Sequence, residues 1–187
     1  MFRELLEKEF GPYGALTAEQ LDRLENHYNL LLRWNARLNL TRIDSVEDSV
    51  RLHYCESLFA GQSLPTGPLS IVDVGSGAGF PGIPIGILRP ECSITLVEAH
   101  QRKAVFLREA TRKLTNIEVV TDRAENLKYT YDWLISRAVS TEEVLKLKLA
   151  NNLALLVGGQ QVLDFNRREP IPWGTDRFIA FHVERSC

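Results

Sequence analysis

The sequence predicts an α/β fold, a doubly wound, largely parallel sheet with helices on both faces, preceded by a small N-terminal helical region. Three observations carry this. Short apolar runs recur at 71–74, 93–97, 117–120, 131–136 and 153–157. Helix-like segments at 83–88, 101–114 and 141–150 separate most of them, the alternation that parallel strands with crossover helices require. Before residue 60 the apolar period is helical throughout.

Taken in order, Leu5, Leu6 and Phe10 give a short amphipathic helix stopped by Gly11-Pro12. Thr17-Ala-Glu-Gln20 is a capping box, and Leu21, Leu24, Tyr28, Leu31 and Leu32 follow at helical spacing. A further helix is expected over 46–60, using Val50, His53, Tyr54, Leu58 and Phe59. The stretch 61–68, Gly-Gln-Ser-Leu-Pro-Thr-Gly-Pro, reads as a linker. It divides a helical region, 1–68, from a sheet domain, 69–187. The run 177–183, aromatic and β-branched in near alternation, is expected to close the sheet as an edge strand.

Composition narrows the class. Apolar residues make up 44% and charged residues 25%, ordinary for a water-soluble globular chain. A net charge of −2 gives no global basic field, so a nucleic-acid partner must be met by a local patch. Cys55, Cys92 and Cys187 are scattered and in no metal-ligand spacing, which reads as free thiols. The charged N-terminus is no signal peptide and no run approaches a membrane span, so the expected location is the cytoplasm.

The most informative stretch is 69–82, Leu-Ser-Ile-Val-Asp-Val-Gly-Ser-Gly-Ala-Gly-Phe-Pro-Gly. A strand carrying one acid, Asp73, breaks into Gly75, Gly77 and Gly79 directly before a helix. Backbone N–H groups and the positive helix end then face a nucleotide-like ligand. Two ligands compete. Gly77-x-Gly79-x-x-Gly82 with Glu98 further on matches the dinucleotide fingerprint of an NAD-dependent enzyme. Counted from Gly75, however, the pattern is Asp-x-Gly-x-Gly-x-Gly, and Phe80 occupies the place of the third fingerprint glycine. That form is similar to the first motif of Rossmann-like methyltransferases using S-adenosylmethionine. Asp73 suits it, because a carboxylate at the strand end can hold the donor's ammonium.

Other strand ends add weaker signals. Glu98 can accept from ribose hydroxyls, which both ligands share, or cap the following helix. Ala124 and Glu125 in Asp122-Arg-Ala-Glu125 can read an adenine edge or form a capping cluster. Ser136-Arg137-Ala138 ends the fourth strand, where many amino-group methyltransferases carry a proton-accepting Asp/Asn-Pro-Pro-aromatic motif. Arginine cannot act as a base. Either the target needs little deprotonation, as at guanine N7, or Arg137 grips an anion; its expected partners are the methionine carboxylate, guanine O6, a phosphate or a structural salt bridge. Arg102, Lys103, Arg108, Arg112 and Lys113, with Arg123, form either a solvated face or a phosphate track. Asn39 and Thr41 read as caps, and His53 as a satisfied core histidine.

These pieces in this order resemble the bacterial small-subunit (16S) ribosomal RNA guanine-N7 methyltransferases, the glucose-inhibited division protein B family. The matching stretches are Trp34-Asn35 with Asn39-Leu-Thr41, Arg51-Leu-His53 with Ser57, 73–84, Arg102-Lys103 with Phe106-Leu107, and Ile135-Ser-Arg-Ala138. They span roughly residues 16–159. The resemblance implies a Rossmann-like class I methyltransferase sheet, S-adenosyl-L-methionine as cofactor, no metal, and 16S ribosomal RNA or the small ribosomal subunit as partner of a monomer. It implies Gly75, Phe80, Ala124, Glu125 and Arg137 as donor contacts, to which the reading above adds Asp73, Gly77 and Glu98. Arg137 and Asn39 are the expected catalytic residues, and Arg102, Lys103 and Arg123 the expected RNA contacts. Three departures stand out, one of them a shortened segment after Gly159. Val157 replaces a family lysine, with Arg167 or Arg168 as candidate substitutes for its charge, and Glu56 replaces an aspartate. The alternative to catalysis, a ribosome-assembly or RNA-binding module retaining the donor pocket, rests on Val157 alone.

Overall fold

The computed structural model describes residues 1–42, 45–137, 139–159, 165 and 167–183. Helices α1 (Phe2–Phe10) and α2 (Ala18–Leu38) open the chain. The capping box at the start of α2 forms as its sequence requires: Thr17 Oγ1 accepts from Gln20 N–H, and Gln20 Oε1 accepts from Thr17 N–H. A short α3 (Val46–Ser49) leads through a π-helical turn, Val50–Cys55, into α4 (Glu56–Ser63). Helical structure thus runs past residue 60 into the expected linker. Gly61 is buried, because a bare Cα is what lets α4 approach Ile85 and Leu88.

The sheet strands are β1 (Ser70–Val74), β2 (Ser93–Val97), β3 (Ile117–Val120), β4 (Tyr131–Arg137), β5 (Ala150–Gly158), β6 (Arg167–Pro170) and β7 (Arg177–His182). Helices α5 (Gly82–Leu88), α6 (Gln101–Thr111) and α7 (Thr141–Lys146) connect β1 to β2, β2 to β3 and β4 to β5, while a short 3-10 turn, Ala124–Asn126, lies between β3 and β4. The strand order is β3-β2-β1-β4-β5-β7-β6. The first five strands are parallel, and β7 runs antiparallel to both β5 and β6. The expectation that 177–183 forms the edge is corrected: β7 lies inside the sheet and β6 is the edge. An Arg-Arg-Glu-Pro segment has no apolar alternation to read, but an edge strand tolerates charge and a proline on its open side.

Alternation along the strands sorts their side chains onto two faces. Ile71, Trp133, Ile135, Ala154 and Leu156 join one core with Leu6, Leu24, Tyr54, Ile83 and Phe106. Val72, Leu134, Leu153 and Leu155 join the opposite core with Val144 of α7. The N-terminal helices therefore share a core with one face of the sheet. Cys55 and Cys92 are free and buried; Cys187 and Ala138 lie outside the described residues.

Candidate functional site

The break after β1 is built from its glycines. Gly75 has φ +74°, and a Cβ there would stand 2.7 Å from Val139 Cγ2. Its N–H donates to the Val97 carbonyl at 2.9 Å, folding the loop over the end of β2. Gly77 N–H donates to Glu98 Oε2 at 2.9 Å, and Glu98 Oε1 accepts from His100 N–H at 2.8 Å. Glu98 therefore braces the glycine loop, while its carboxylate still borders a cleft.

That cleft has a volume of about 350 Å³ and is lined by Gly75, Glu98, Arg123, Ala124, Glu125 and Val139, among others. Residues that follow four strand ends thus meet around one space at the carboxyl edge of the sheet, where open α/β sheets take ligands. Asp73 and Phe80 are not on its wall. Asp73 is wholly buried; its Oδ2 accepts from Gly82 N–H at 2.9 Å, and its Oδ1 has no hydrogen-bond partner. Burial pushes its pKa up to about 7. Phe80 lies behind the loop, its ring stacked on His53 with centroids 4.5 Å apart and planes 12° apart.

A second cavity of about 340 Å³ adjoins the first through Val139 and is lined by Arg137, Ser140, Val157, Gly158 and Arg177 as well. Arg137 ends β4. Its Nη1 donates to His53 Nδ1 at 2.7 Å and lies 3.9 Å from Glu56 Oε2. Glu56, fully buried, takes a hydrogen bond from Arg177 Nη2 at 2.5 Å and pairs with Arg177 Nε. Burial raises the Glu56 carboxyl, and the hydrogen bond from Arg177 works against that rise. Two guanidiniums and one carboxylate leave this cluster with a surplus positive charge.

The remaining expected residues are dispersed. Asn39 caps α2 in a left-handed conformation, φ 48°, with its side chain exposed. Two residues further on, Thr41 Oγ1 lies 2.8 Å from His53 Nε2. Arg102 and Lys103 begin α6, and neither lines either cavity. Arg167 pairs with Glu169 and lies over the Phe181 ring, and Arg168 lies over Phe178. Arg177 shares the lining of the second cavity with Val157. Sequence reasoning missed Arg177 and noted Glu56 only as a departure from a family aspartate, without its partners. The signal for Arg177 was present but unreadable without topology, because the first residue of an antiparallel β7 falls beside the last residue of β5.

The residues present fit an adenosine-bearing ligand in the first cleft. A glycine-made opening, the Glu98 carboxylate at its edge and the Ala124 turn share one cleft, and a carboxylate there can accept from ribose hydroxyls. Comparison with known proteins agrees with the fold. A SAM-dependent methyltransferase from Aquifex aeolicus superposes with a TM-score of 0.58 at 15% identity, over 76% of this chain and 95% of that one. Aeropyrum pernix fibrillarin, in complex with S-adenosyl-L-methionine, gives 0.54 at 16% identity over 68% and 73%. In sequence, the Ribosomal RNA small subunit methyltransferase G of Desulforamulus reducens is 39% identical over 139 residues, 70% of this chain. This chain spans 58% of that relative's length. The same-named protein of Ruthia magnifica is 36% identical over 173 residues, 86% of this chain and 81% of the relative. The family model for rRNA small subunit methyltransferase G (GidB) matches residues 20–164, and with it the glycine loop, Glu98, Ala124 and Arg137, so the chain belongs to that family.

Proposed function

We propose that this chain is an S-adenosylmethionine-dependent methyltransferase that modifies N7 of a guanine in 16S ribosomal RNA, acting as a cytoplasmic monomer. The observation that supports the reading is the adjacency of two cavities: a cleft at the glycine loop and a cationic pocket with Arg137 at its edge share Val139 in their walls. Bound S-adenosylmethionine supplies an electrophilic methyl group. An N7 lone pair accepts a methyl without releasing a proton, so the site needs orientation and no general base. The end of β4 matches that need, since Arg137 offers only N–H donors.

In this reading Gly75, Gly77, Glu98, Ala124 and Glu125 hold the donor, Asp73 and Phe80 support the loop from behind, and Arg137 orients a reacting partner. Arg123, on the cleft wall and exposed, meets RNA phosphate; Arg102, Lys103 and Asn39 extend the RNA contact outward. Incubation with methyl-labelled donor and small-subunit RNA from cells lacking the mark should label one guanine, located by N7-specific cleavage and primer extension. Arg137→Ala should lower turnover by about tenfold or more, because a misplaced pair of reactants forfeits much of the orientation term. RNA left unlabelled by the wild type would overturn the assignment, and full turnover by the variant would remove Arg137 from it.

A further inference from the structure

Among the described residues, the His53 side chain meets Arg137, Thr41 and Phe80, none of them a carboxylate. Its Nδ1 faces Arg137 Nη1 at 2.7 Å, its Nε2 faces Thr41 Oγ1 at 2.8 Å, and its ring face lies on Phe80. A guanidinium has only N–H groups to offer. His53 Nδ1 must therefore present a lone pair, which places the ring proton on Nε2, where it is donated to the Thr41 hydroxyl. The imidazole is 7% exposed, and its neutral form is the one this pairing requires.

We propose that His53 is a positioning residue: as a neutral imidazole it fixes the Arg137 guanidinium at the end of β4, and it ties that guanidinium to the Asn39–Thr41 turn and to the glycine loop. The inference rests on the methyltransferase reading and deepens it. Glu56 gives the arrangement its necessity. Its carboxylate already binds Arg177, and it lies 3.9 Å from Arg137, close enough to attract that guanidinium but too far to hydrogen-bond it. Without the lone pair of His53, Arg137 is free to turn onto Glu56 and away from its cavity. His53 lies in the π-helical turn Val50–Cys55 directly before Glu56, so one irregular helical segment carries both the acceptor and the competing acid. Such turns are frequent at functional sites. Through Thr41 and Phe80 the same ring connects Arg137 to the end of α2 and to the loop beneath the donor cleft. A displacement at any of the three is felt at the other two.

A double-mutant cycle separates this role from a merely structural one. In the wild-type background, His53→Ala should lower turnover of labelled small-subunit RNA by about tenfold, a loss of the size expected for disturbed orientation. In the Arg137→Ala background the same change should alter the residual rate by less than about twofold, because the group being positioned is gone. His53→Gln, whose amide oxygen can accept from Arg137, should recover most of the rate. Circular dichroism and urea unfolding identify any variant that fails to fold. Nitrogen-15 spectra of the histidine rings provide a test that needs no substrate: Nδ1 of His53 should be unprotonated, and its resonance should shift in Arg137→Ala. Equal losses from His53→Ala in both backgrounds, or a proton on Nδ1, would overturn the inference. Were the wild type to transfer no methyl, the functional reading would fall, and the ring spectrum would still decide the role of His53 toward Arg137.

Discussion

His27 is buried between α2 and the glycine loop, and its partners settle its chemistry. A carbonyl can only accept, so Nε2–H donates to Ala78 at 3.0 Å, and Nδ1 accepts from the Tyr54 hydroxyl at 2.8 Å. Burial pushes its pKa down to about 4, the Ala78 carbonyl opposing only in part. A histidine depressed in the folded state contributes stability that is present above its unfolded pKa, near 6.5, and lost as pH falls from there toward 4. Between pH 7.5 and 5.5 the loss from one such group is about 1.4 kcal/mol. Urea unfolding at the two pH values should therefore show the wild type losing about 1.4 kcal/mol more than His27→Gln. The same loss in both proteins would mean that His27 protonates without cost. Asp73 runs the other way, its pKa raised to about 7, so its contribution is lost as pH rises through that value. It is common to both proteins and cancels in the comparison. At this scale, residues that end successive parallel strands were legible: Gly75, Glu98 and Ala124 do share a cleft. His27, Glu56 and Arg177 were not, since each acquires its partner from an element far along the chain.

Helix α5 shows how an element is seated. Gly82 opens it, and a Cβ there would stand 2.3 Å from Leu96 Cδ2 and 2.7 Å from Asp73 Oδ2. The helix lies this close to β2 because its first residue has no side chain. Gly82→Ala gains a few tenths of a kcal/mol in helix propensity but overpacks the site, and the net loss should be about 1–2 kcal/mol by urea unfolding. An unchanged midpoint would show that α5 can shift without cost. Among the elements, boundaries of β2 and β3 follow their apolar runs to the residue. Helices α6 and α7 end sooner than periodicity suggests, at Thr111 and Lys146, because residues such as Leu114 and Leu149 remain apolar after the helix stops and are buried from the following loop. The edge strand β6 was unreadable for the opposite reason: its residues make no apolar face at all.

Contacts between distant parts of the chain hold the molecule as one body. Phe2 stacks on Tyr28 at 4.5 Å and meets Tyr54 edge-on at 4.9 Å. Trp173, just before β7, donates to Glu9 of α1 at 3.2 Å, and Glu9 in turn accepts from Arg51 at 2.8 Å. Arg89, at the end of α5, donates to the Gly67 carbonyl at 2.6 Å and so fastens the segment leading into β1. Thermal unfolding should accordingly be a single transition seen equally by helical and aromatic signals. S-adenosylhomocysteine at one hundred times its Kd should stabilise the fold by about 2.7 kcal/mol, which is about 5–10 °C in Tm for a chain of this size. Two separable transitions would break the shared-core account, and an unmoved Tm would empty the donor cleft.

By itself the sequence determined the alternation of strands and helices, the glycine break after the first strand and the absence of a base at the end of the fourth. The glycine break and the end of the fourth strand are each written within about a dozen consecutive residues, and the alternation is a series of such short segments, where local sterics and periodicity act directly. Only the tertiary structure decided which charges meet. Arg137 finds His53, Glu56 and Arg177 because a parallel strand, a π-helical turn and an antiparallel strand all end at one edge of the sheet. Electrostatic partnership depends on distance in space, and residues 53, 137 and 177 become neighbours only when the chain has closed.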